Sequence, residues 1–523
     1  MKQNPKFYIT TAIHYASGNP HIGHAYENII TDLIARYKRL IGFDVYFLTG
    51  LDEHGEKIAQ KAQENNLNSK AWVDLIYQKF IDLWKMADIS NDGFIRTTDK
   101  GHCEAVKKAF SDFYKSKYIY LGQWNSLYCV GCEETYTDAE AIKKPDGLYC
   151  KTGHKLITKS EPSYFFTMSK FNEWIKELLT KNKDFIFPAN RANELLGTFI
   201  NDGITDLSVT RTKQSCPWAI DINEDPQHTI YVWIDALLNY ITALGYNQDK
   251  PDLFKKFWAD EQSEVLHVVG KDITRFHAIY WPIMLKCLNL RMPSHILSHG
   301  FIMAEDGRKM SKSFNNVIDP VEIIKEYGSD IVRYYLAKEF IIANDNHFSK
   351  KKLVELFNSD LANIYGNLVS RFLGMINKYT NGVIVKPDLT KLSANTTHTV
   401  AAMESLLDKC PQFINSYNLS GLLANILEIG KIANTYVELT KPWELQKNNQ
   451  DNEIHVFLFY LANIVRVLTI LISPVLTNGS QTIIKQMRFT PEQLSFENIK
   501  KYEILFGHQV VKEFAPIYVR YNI

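Results

Sequence analysis

Ser17-Gly18-Asn19-Pro20-His21-Ile22-Gly23-His24 lies where a strand-like run gives way to a helical one. Upstream, Phe7, Tyr8, Ile9, Thr10, Thr11, Ala12 and Ile13 are rich in β-branched and aromatic side chains, the signature of a strand. Downstream, Ile30, Leu33, Ile34, Tyr37 and Ile41 recur at helical spacing. A turn must join the two. Gly18, Pro20 and Gly23 suit it, and the first amides of the new helix face the gap with the positive end of its dipole. Two imidazoles at such a mouth fit a phosphate chain, although one could equally cap the helix while the other lies on its surface.

Farther along, Val45-Tyr46-Phe47-Leu48-Thr49-Gly50 reads as a second strand, ending in Leu51-Asp52-Glu53-His54-Gly55. Strand and helix alternate over residues 6–115, which predicts an α/β fold of Rossmann type, with ligands gathered beyond the carboxyl ends of parallel strands. Asp52 then falls beside His21 and His24, or serves as N-cap of a helix over residues 57–63. The sheet pattern resumes at Thr229-Ile230-Tyr231-Val232 and at residues 265–272, each followed by a helix. On the first of these helices Trp233, Ala236, Leu237 and Tyr240 share a face; on the second Ile273, His277 and Trp281 do. These stripes serve either as core packing or as walls of a slot for a polarizable apolar side chain.

Between the halves of the sheet the character changes. Cys129-Val130-Gly131-Cys132 and Cys150-Lys151-Thr152-Gly153-His154 place paired ligands on two tight turns about a hairpin apart, as a tetrahedral zinc site requires. Four protein ligands leave no open position, so this zinc would be structural. Two unrelated cysteine turns are the competing reading. Asn193-Glu194-Leu195-Leu196 opens a helix and residues 204–211 turn into a strand, and the whole segment looks inserted.

A strand then runs into Glu305-Asp306-Gly307-Arg308-Lys309-Met310-Ser311-Lys312-Ser313. Two lysines and two serines on one loop form either a solvated basic segment or a clasp for polyphosphate. Beyond residue 349 only helical periods remain, to about residue 487, which predicts a helical bundle. Asn367 and Arg371 lie one turn apart there, and Lys441-Pro442-Trp443-Glu444 breaks two helices. By itself Trp443 reads as a packing residue. The expected segments are residues 1–116 and 226–295 for the two halves of the nucleotide fold, 117–225 for the insertion, 296–355 for the basic-loop region and 356–523 for the bundle.

Composition sets the limits on all this. The 523 residues are 46% hydrophobic and 22% charged, and 59 basic side chains balance 58 acidic ones, so a soluble multidomain chain is expected and no global field announces a nucleic-acid partner. The first strand starts so soon after Met1 that no signal or transit peptide is expected, which argues for the cytoplasm. An apolar stretch at 454–476 is interrupted by His455, Asn463, Arg466 and Pro474 and reads as a buried helix, not a membrane span. Seven cysteines in such a chain argue against a disulfide framework.

His21-Ile22-Gly23-His24 with Lys309-Met310-Ser311-Lys312-Ser313 resembles the two signatures of class I aminoacyl-tRNA synthetases. More narrowly, residues 12–20, Thr49 to Gly55, Tyr231-Val232-Trp233-Ile234-Asp235-Ala236 and Gly270-Lys271-Asp272-Ile273 look like the methionyl-tRNA synthetase family. The resemblance runs through nearly the whole chain in order. It implies ATP-dependent joining of methionine to a tRNA with a CAU anticodon through an adenylate, with magnesium accompanying ATP and one structural zinc on Cys129, Cys132, Cys150 and His154. It assigns His21, Gly23, His24, Asp272, Lys309, Ser311, Lys312 and Ser313 to ATP, with His21, His24, Lys309 and Lys312 stabilising the developing charge. Methionine falls to Ile13, Tyr15, Asp52, Trp233, Ala236, Leu237, Tyr240, Ile273, His277 and Trp281. Asn367, Arg371 and Trp443 would read the anticodon, which reverses the packing role of Trp443. His14 departs from the family's usual proline or tyrosine, the second metal pair has the longer Cys-x3-His spacing, and residues 344–349 depart from the usual Asp-Gly-Asp-Phe-Ser. Without the appended domain through which many relatives dimerise, a monomer is expected. Small nucleotidyltransferases, an RNA-binding descendant and cysteinyl-tRNA synthetase are the alternatives; the last would place a metal in the amino-acid pocket itself.

Overall fold

The computed structural model describes residues 4–132, 134–136, 140–305, 307, 308, 310 and 316–521. The chain forms two compact units, one from Met1–Thr31, Asp44–Lys85 and Ser90–Phe301, the other from Asp32–Phe43, Met86–Ile89 and Ile302–Ile523.

Strand and helix alternate through β1 (Lys6–Tyr15), α1 (Ile22–Leu40), β2 (Asp44–Asp52), α2 (Glu56–Glu64), α3 (Ser69–Met86), β3 (Gly93–Arg96) and α4 (Lys100–Lys115), all in the first unit except Asp32–Leu40 of α1 and Met86 of α3. The later elements are β4 (Ile186–Phe187), α5 (Trp233–Thr242), β5 (Glu264–Gly270), α6 (Trp281–Cys287) and β6 (His295–His299). The sheet order is β3-β2-β1-β5-β6-β4, and every pairing in it is parallel. Phe7 to Thr11 of β1 are at most 1% exposed, as a parallel strand covered on both faces must be. Sequence order runs outward one way through β2 and β3 and the other way through β5 and β6. The switch point is therefore the β1–β5 crevice, where ligands of such sheets bind.

Three local expectations change. Residues 229–232 do not continue the parallel sheet: His228–Ile230 pairs antiparallel with Thr210–Thr212, since a short β-branched run takes whichever edge is adjacent. Asp52 is the last residue of β2 rather than a helix cap, and Gly55 at φ 126° leads into α2 with no side-chain cap. The helix expected to open at Asn193 starts at Asn190 and passes into a π-helical turn, Leu196–Ile200. Within the insertion, Ile119–Cys129 and Ile157–Phe166 form a long antiparallel pair.

The second unit is helical from Pro320 onward, apart from the short pairing of Ile302–Met303 with Asn346–His347. Its longest helices are Leu419–Thr440 and Asp451–Ile472. The latter is the one helix among the described residues that is long and apolar enough to cross a membrane, and 94% of its apolar window is buried inside the protein. Its polar interruptions are structural. Arg466 donates to Asn463 Oδ1 (3.2 Å), Gln493 O (2.8 Å) and Ile499 O (2.9 Å), and burial lowers its pKa to about 10. Arg333, fully buried, donates to Asp32 (2.6 Å) and to the carbonyls of Ala87, Asp88, Pro474 and Val475.

Candidate active site

The turn between β1 and α1 is closed by its own histidines. His21 Nδ1 accepts from Gly23 N–H (3.1 Å), and His24 Nδ1 accepts from His21 N–H (3.2 Å). The two rings stack at 3.7 Å. A Cβ at Gly23 would fall 2.9 Å from the His21 ring, so any larger residue would push that ring aside. An accepting Nδ1 assigns the Nε2–H tautomer to both neutral rings, which makes each a donor suited to phosphate oxygen. Burial and the neighbouring histidines hold His24 well below the usual imidazole range. Behind it lies His14, bonded to Asn28 (2.7 Å) and stacked on Phe80; burial, with His21 and His299, brings its pKa to about 3. The departure at His14 thus adds a third neutral imidazole beneath the turn.

On the other side of the switch point stands a pair that sequence reading missed. Glu27 on α1 accepts from the Ala12 amide (3.0 Å) and from His299 Nε2 (2.9 Å), while His299 Nδ1 donates to Gly300 O (2.8 Å). With Nδ1 donating to a carbonyl, one proton is shared between His299 Nε2 and Glu27, whose own pKa burial raises, and Glu27 favours the charged ring. Burial opposes that charge, but Glu27 outweighs it and raises the pKa. Asp272 is exposed in the turn after β5, with Lys271 N bonded to His299 O across the ends of β5 and β6. It therefore stands at the carboxyl edge of the sheet.

The two aromatic stripes meet in part. Tyr240 Oη donates to His277 Nε2 (2.6 Å), and His277 Nδ1 donates to Ile273 O (2.9 Å); burial lowers His277 to about 4. Tyr240 lies 6.0 Å from Trp281 and 4.2 Å from His267, ring centre to ring centre. His267 was not singled out in the sequence. It accepts from Trp281 Nε1 (3.2 Å) and bonds Thr10 (2.8 Å), tying both stripes to β5 and β1. Helical spacing is not the reason the second stripe works: Phe276–Tyr280 is a π-helical turn and Ile273 precedes it. Leu237 and Trp281 are sealed in the core, and Ala236 is buried with them. Trp233 is half-buried and stacks on Phe276 at 3.4 Å. Ile13, Tyr15 and Asp52 come together at the ends of β1 and β2, where Ile13 pairs with Gly50 and Tyr15 with Asp52.

The loop after β2 is held from several sides. Glu53 takes Arg96 at 2.7 Å and a short bond from Thr98, its amide donates to Thr97 (2.9 Å), and its carbonyl accepts from Trp218 Nε1 (2.6 Å). Asp52 at its start is buried.

In the insertion, the ligand atoms of Cys129, Cys132, Cys150 and His154 lie within 4.8 Å of one another. The amides of Cys132 and His154 donate to the sulfurs of Cys129 (3.3 Å) and Cys150 (3.2 Å); Cys150 is lowered to about 6, whereas burial raises Cys129 to about 12. Three sulfurs and one imidazole nitrogen facing one point fit a tetrahedral divalent metal. The four residues could thus hold a metal ion.

The loop residues Lys309, Ser311, Lys312 and Ser313 lie outside the described residues. The departing segment near His347 forms the partner strand of Ile302–Met303, and Ser349 Oγ donates to Glu305 (2.7 Å). In the helical unit, Asn367 is exposed and Arg371 bonds Glu438 at 2.6 Å. Trp443, 40% exposed, follows shortly after on the next helix, Pro442–Lys447.

A parallel sheet with a histidine-glycine turn at its switch point and an inserted cysteine cluster is the arrangement of a class I synthetase, which activates an amino acid with ATP. The family model described as tRNA synthetases class I (M) matches residues 7–151 and 139–373, and the chain belongs to that family. Within it, the chain is 47% identical to the methionine--tRNA ligase of Ureaplasma parvum serovar 3, with 99% of each chain covered. It is 40% identical to that of Mycoplasma genitalium, over 95% of this chain and 96% of the relative. Among solved structures, Mycobacterium tuberculosis methionyl-tRNA synthetase in complex with methionyl-adenylate matches with a TM-score of 0.92 at 34% identity, covering 99% of this chain and all of the other.

Proposed function

We infer that this chain is a methionine-tRNA ligase: it joins methionine to ATP as methionyl-adenylate, releasing pyrophosphate, then transfers the methionyl group to a tRNA and releases AMP. The observation that carries this is the His21–Gly23–His24 turn at the switch point of the sheet, in a chain that matches over nearly its whole length a structure solved with methionyl-adenylate. No protein nucleophile is required, because the methionine carboxylate attacks the α-phosphate. The protein positions the two reactants and neutralises charge as it develops.

In this reading the Nε2–H groups of His21 and His24 donate to phosphate oxygens, and Gly23 gives them room. Asp272 holds the ribose side, and the family resemblance assigns Lys309, Ser311, Lys312 and Ser313 to the ATP phosphates, which magnesium would accompany. Asp52 receives the methionine ammonium. Ile13, Tyr15, Trp233, Ala236, Leu237, Tyr240, Ile273, His277 and Trp281 shape the side-chain site, in which a sulfur-aromatic contact contributes about 0.3–1.5 kcal/mol. With both its nitrogens engaged by Tyr240 and Ile273, His277 stays neutral against an apolar thioether.

Cys129, Cys132, Cys150 and His154 would hold one zinc, which would fix the fold of the inserted turns. Asn367, Arg371 and Trp443 would read the CAU anticodon, Trp443 by stacking on a base. The same reading takes the enzyme as a monomer in the cytoplasm, divided near residues 1–116, 117–225, 226–295, 296–355 and 356–523, with Ile186–Phe187 and His295–His299 joining the parallel sheet across those bounds. Aminoacylation of a CAU-anticodon transcript tests the reading: methionine should be incorporated, and changing the anticodon should suppress it. Equal charging of both transcripts would overturn the anticodon assignment, and no charging with methionine would overturn the function.

A further inference from the structure

Helix α5 has two faces. One carries Trp233, Ala236, Leu237 and Tyr240; the other carries Asp235, Asn239 and Thr242, which are polar yet at most 2% exposed. A buried carboxylate is tolerated only with partners, and Asp235 has two. Its Oδ2 lies 2.7 Å from His54 Nδ1 and its Oδ1 lies 2.7 Å from His102 Nε2. His102 is anchored in turn by Thr242 Oγ1 at 2.7 Å. His102 comes from α4, and His54 from the loop two residues beyond Asp52.

The entry to α5 is strained. Val232, immediately before Trp233, has φ 27° and ψ −74°, a region that β-branched residues avoid. Such a conformation persists only where the surroundings over-determine it. On the upstream side Arg211 lies 3.7 Å from the Trp124 ring centre and 3.9 Å from that of Tyr231, and Tyr231 bonds Tyr128 at 2.8 Å. On the downstream side the hold is Asp235.

We propose that Asp235 is a positioning residue for the amino-acid site: gripped by His54 and His102, it locks the first turn of α5 to the Asp52 loop and so fixes the spacing between ammonium acceptor and side-chain wall. This rests on the reading of the Trp233 face as the methionine site. Asp235 itself lies on the face away from that site and touches no substrate. Its influence passes along two residues of backbone to Trp233 at one end and from His54 to Asp52 at the other. Methionine spans the two anchors, whereas ATP does not, so loosening the link should weaken methionine binding selectively.

The test compares His54→Asn with His54→Gln in methionine-dependent ATP-pyrophosphate exchange. The asparagine amide nitrogen occupies the position of Nδ1, whereas the glutamine amide lies one atom farther out. His54→Gln should raise KM for methionine about 10-fold, the scale of one lost hydrogen bond to a buried charge. KM for ATP should move by less than about 2-fold, and His54→Asn should stay within about 3-fold of wild type in both. Should His54→Gln not fold, His54→Ala carries the same comparison. An unmoved methionine KM, equal impairment by both variants, or parallel rises in both KM values would each overturn the proposal. Failure of the wild type to exchange with methionine would instead overturn the pocket reading, and the clamp with it, so the two failures are distinguishable.

Discussion

Gly131→Ala probes the cysteine cluster without removing a ligand. An added Cβ would sit 2.7 Å from His154 Nδ1, 2.8 Å from Cγ and 2.9 Å from Cε1. Ordinary contact requires at least about 3.5 Å, so the imidazole must retreat by roughly 0.6–0.8 Å. In the metal-free protein this is cheap, because the ring can turn aside on the surface. With metal bound it is not, since ligand distances tolerate only about 0.2 Å. The metal must then accept a distorted or absent nitrogen, and affinity should fall about 10–100-fold, or roughly 1.4–2.8 kcal/mol. Chelator competition against the purified protein reads this directly, with circular dichroism to verify that the rest of the chain is unchanged. Equal zinc affinity in Gly131→Ala and wild type would refute His154 as a ligand; loss of all zinc with unfolding of the whole chain would refute the confinement of its role to the insertion.

Other consequences follow from buried charge and exposed aromatic surface. Burial depresses His277 to about 4 and His14 to about 3, so the unfolded chain binds protons more readily than the folded one below about pH 6.5. Stability should be complete above that value and fall as pH drops, by about 2 kcal/mol per histidine at pH 5. Urea titrations followed by tryptophan fluorescence at pH 7 and 5 check this, and an unchanged midpoint would contradict it. Arg333→Met strips a partner from Asp32 and from four carbonyls; a loss of about 3–5 kcal/mol is expected, with a thermal midpoint lower by about 10 °C. A shift within error of wild type would show that the network is dispensable. Trp443→Ala should raise KM for tRNA by about 10-fold or more, as expected from a lost base stack, and leave pyrophosphate exchange untouched. Impaired exchange would mean that Trp443 acts through the fold.

What the sequence revealed most readily was whatever is local. The turn at His21 to His24 shows itself by glycine spacing between a strand and a helix, and the cysteine pairs by their tight turns. The parallel sheet follows from alternation over residues 6–115. What it concealed depends on partners far away in the chain. Glu27 and His299 are 272 positions apart, and His102 and Asp235 are 133 apart, so no periodicity links them. His267 lay inside a recognised strand, where a lone histidine among valines reads as core until Trp281 and Thr10 are seen on its two nitrogens. The Thr229 strand was misplaced because side-chain pattern specifies extended backbone but not its neighbour. A π-helical turn at residues 276–280 cannot be seen in spacing at all, since tertiary contacts select it.

The central claim is that the crevice beside His21 and His24 activates methionine in particular. ATP-pyrophosphate exchange measured with each of the twenty amino acids tests it most directly. Methionine should support exchange far above every other amino acid. A stronger signal from any other, cysteine above all, would contradict the assignment.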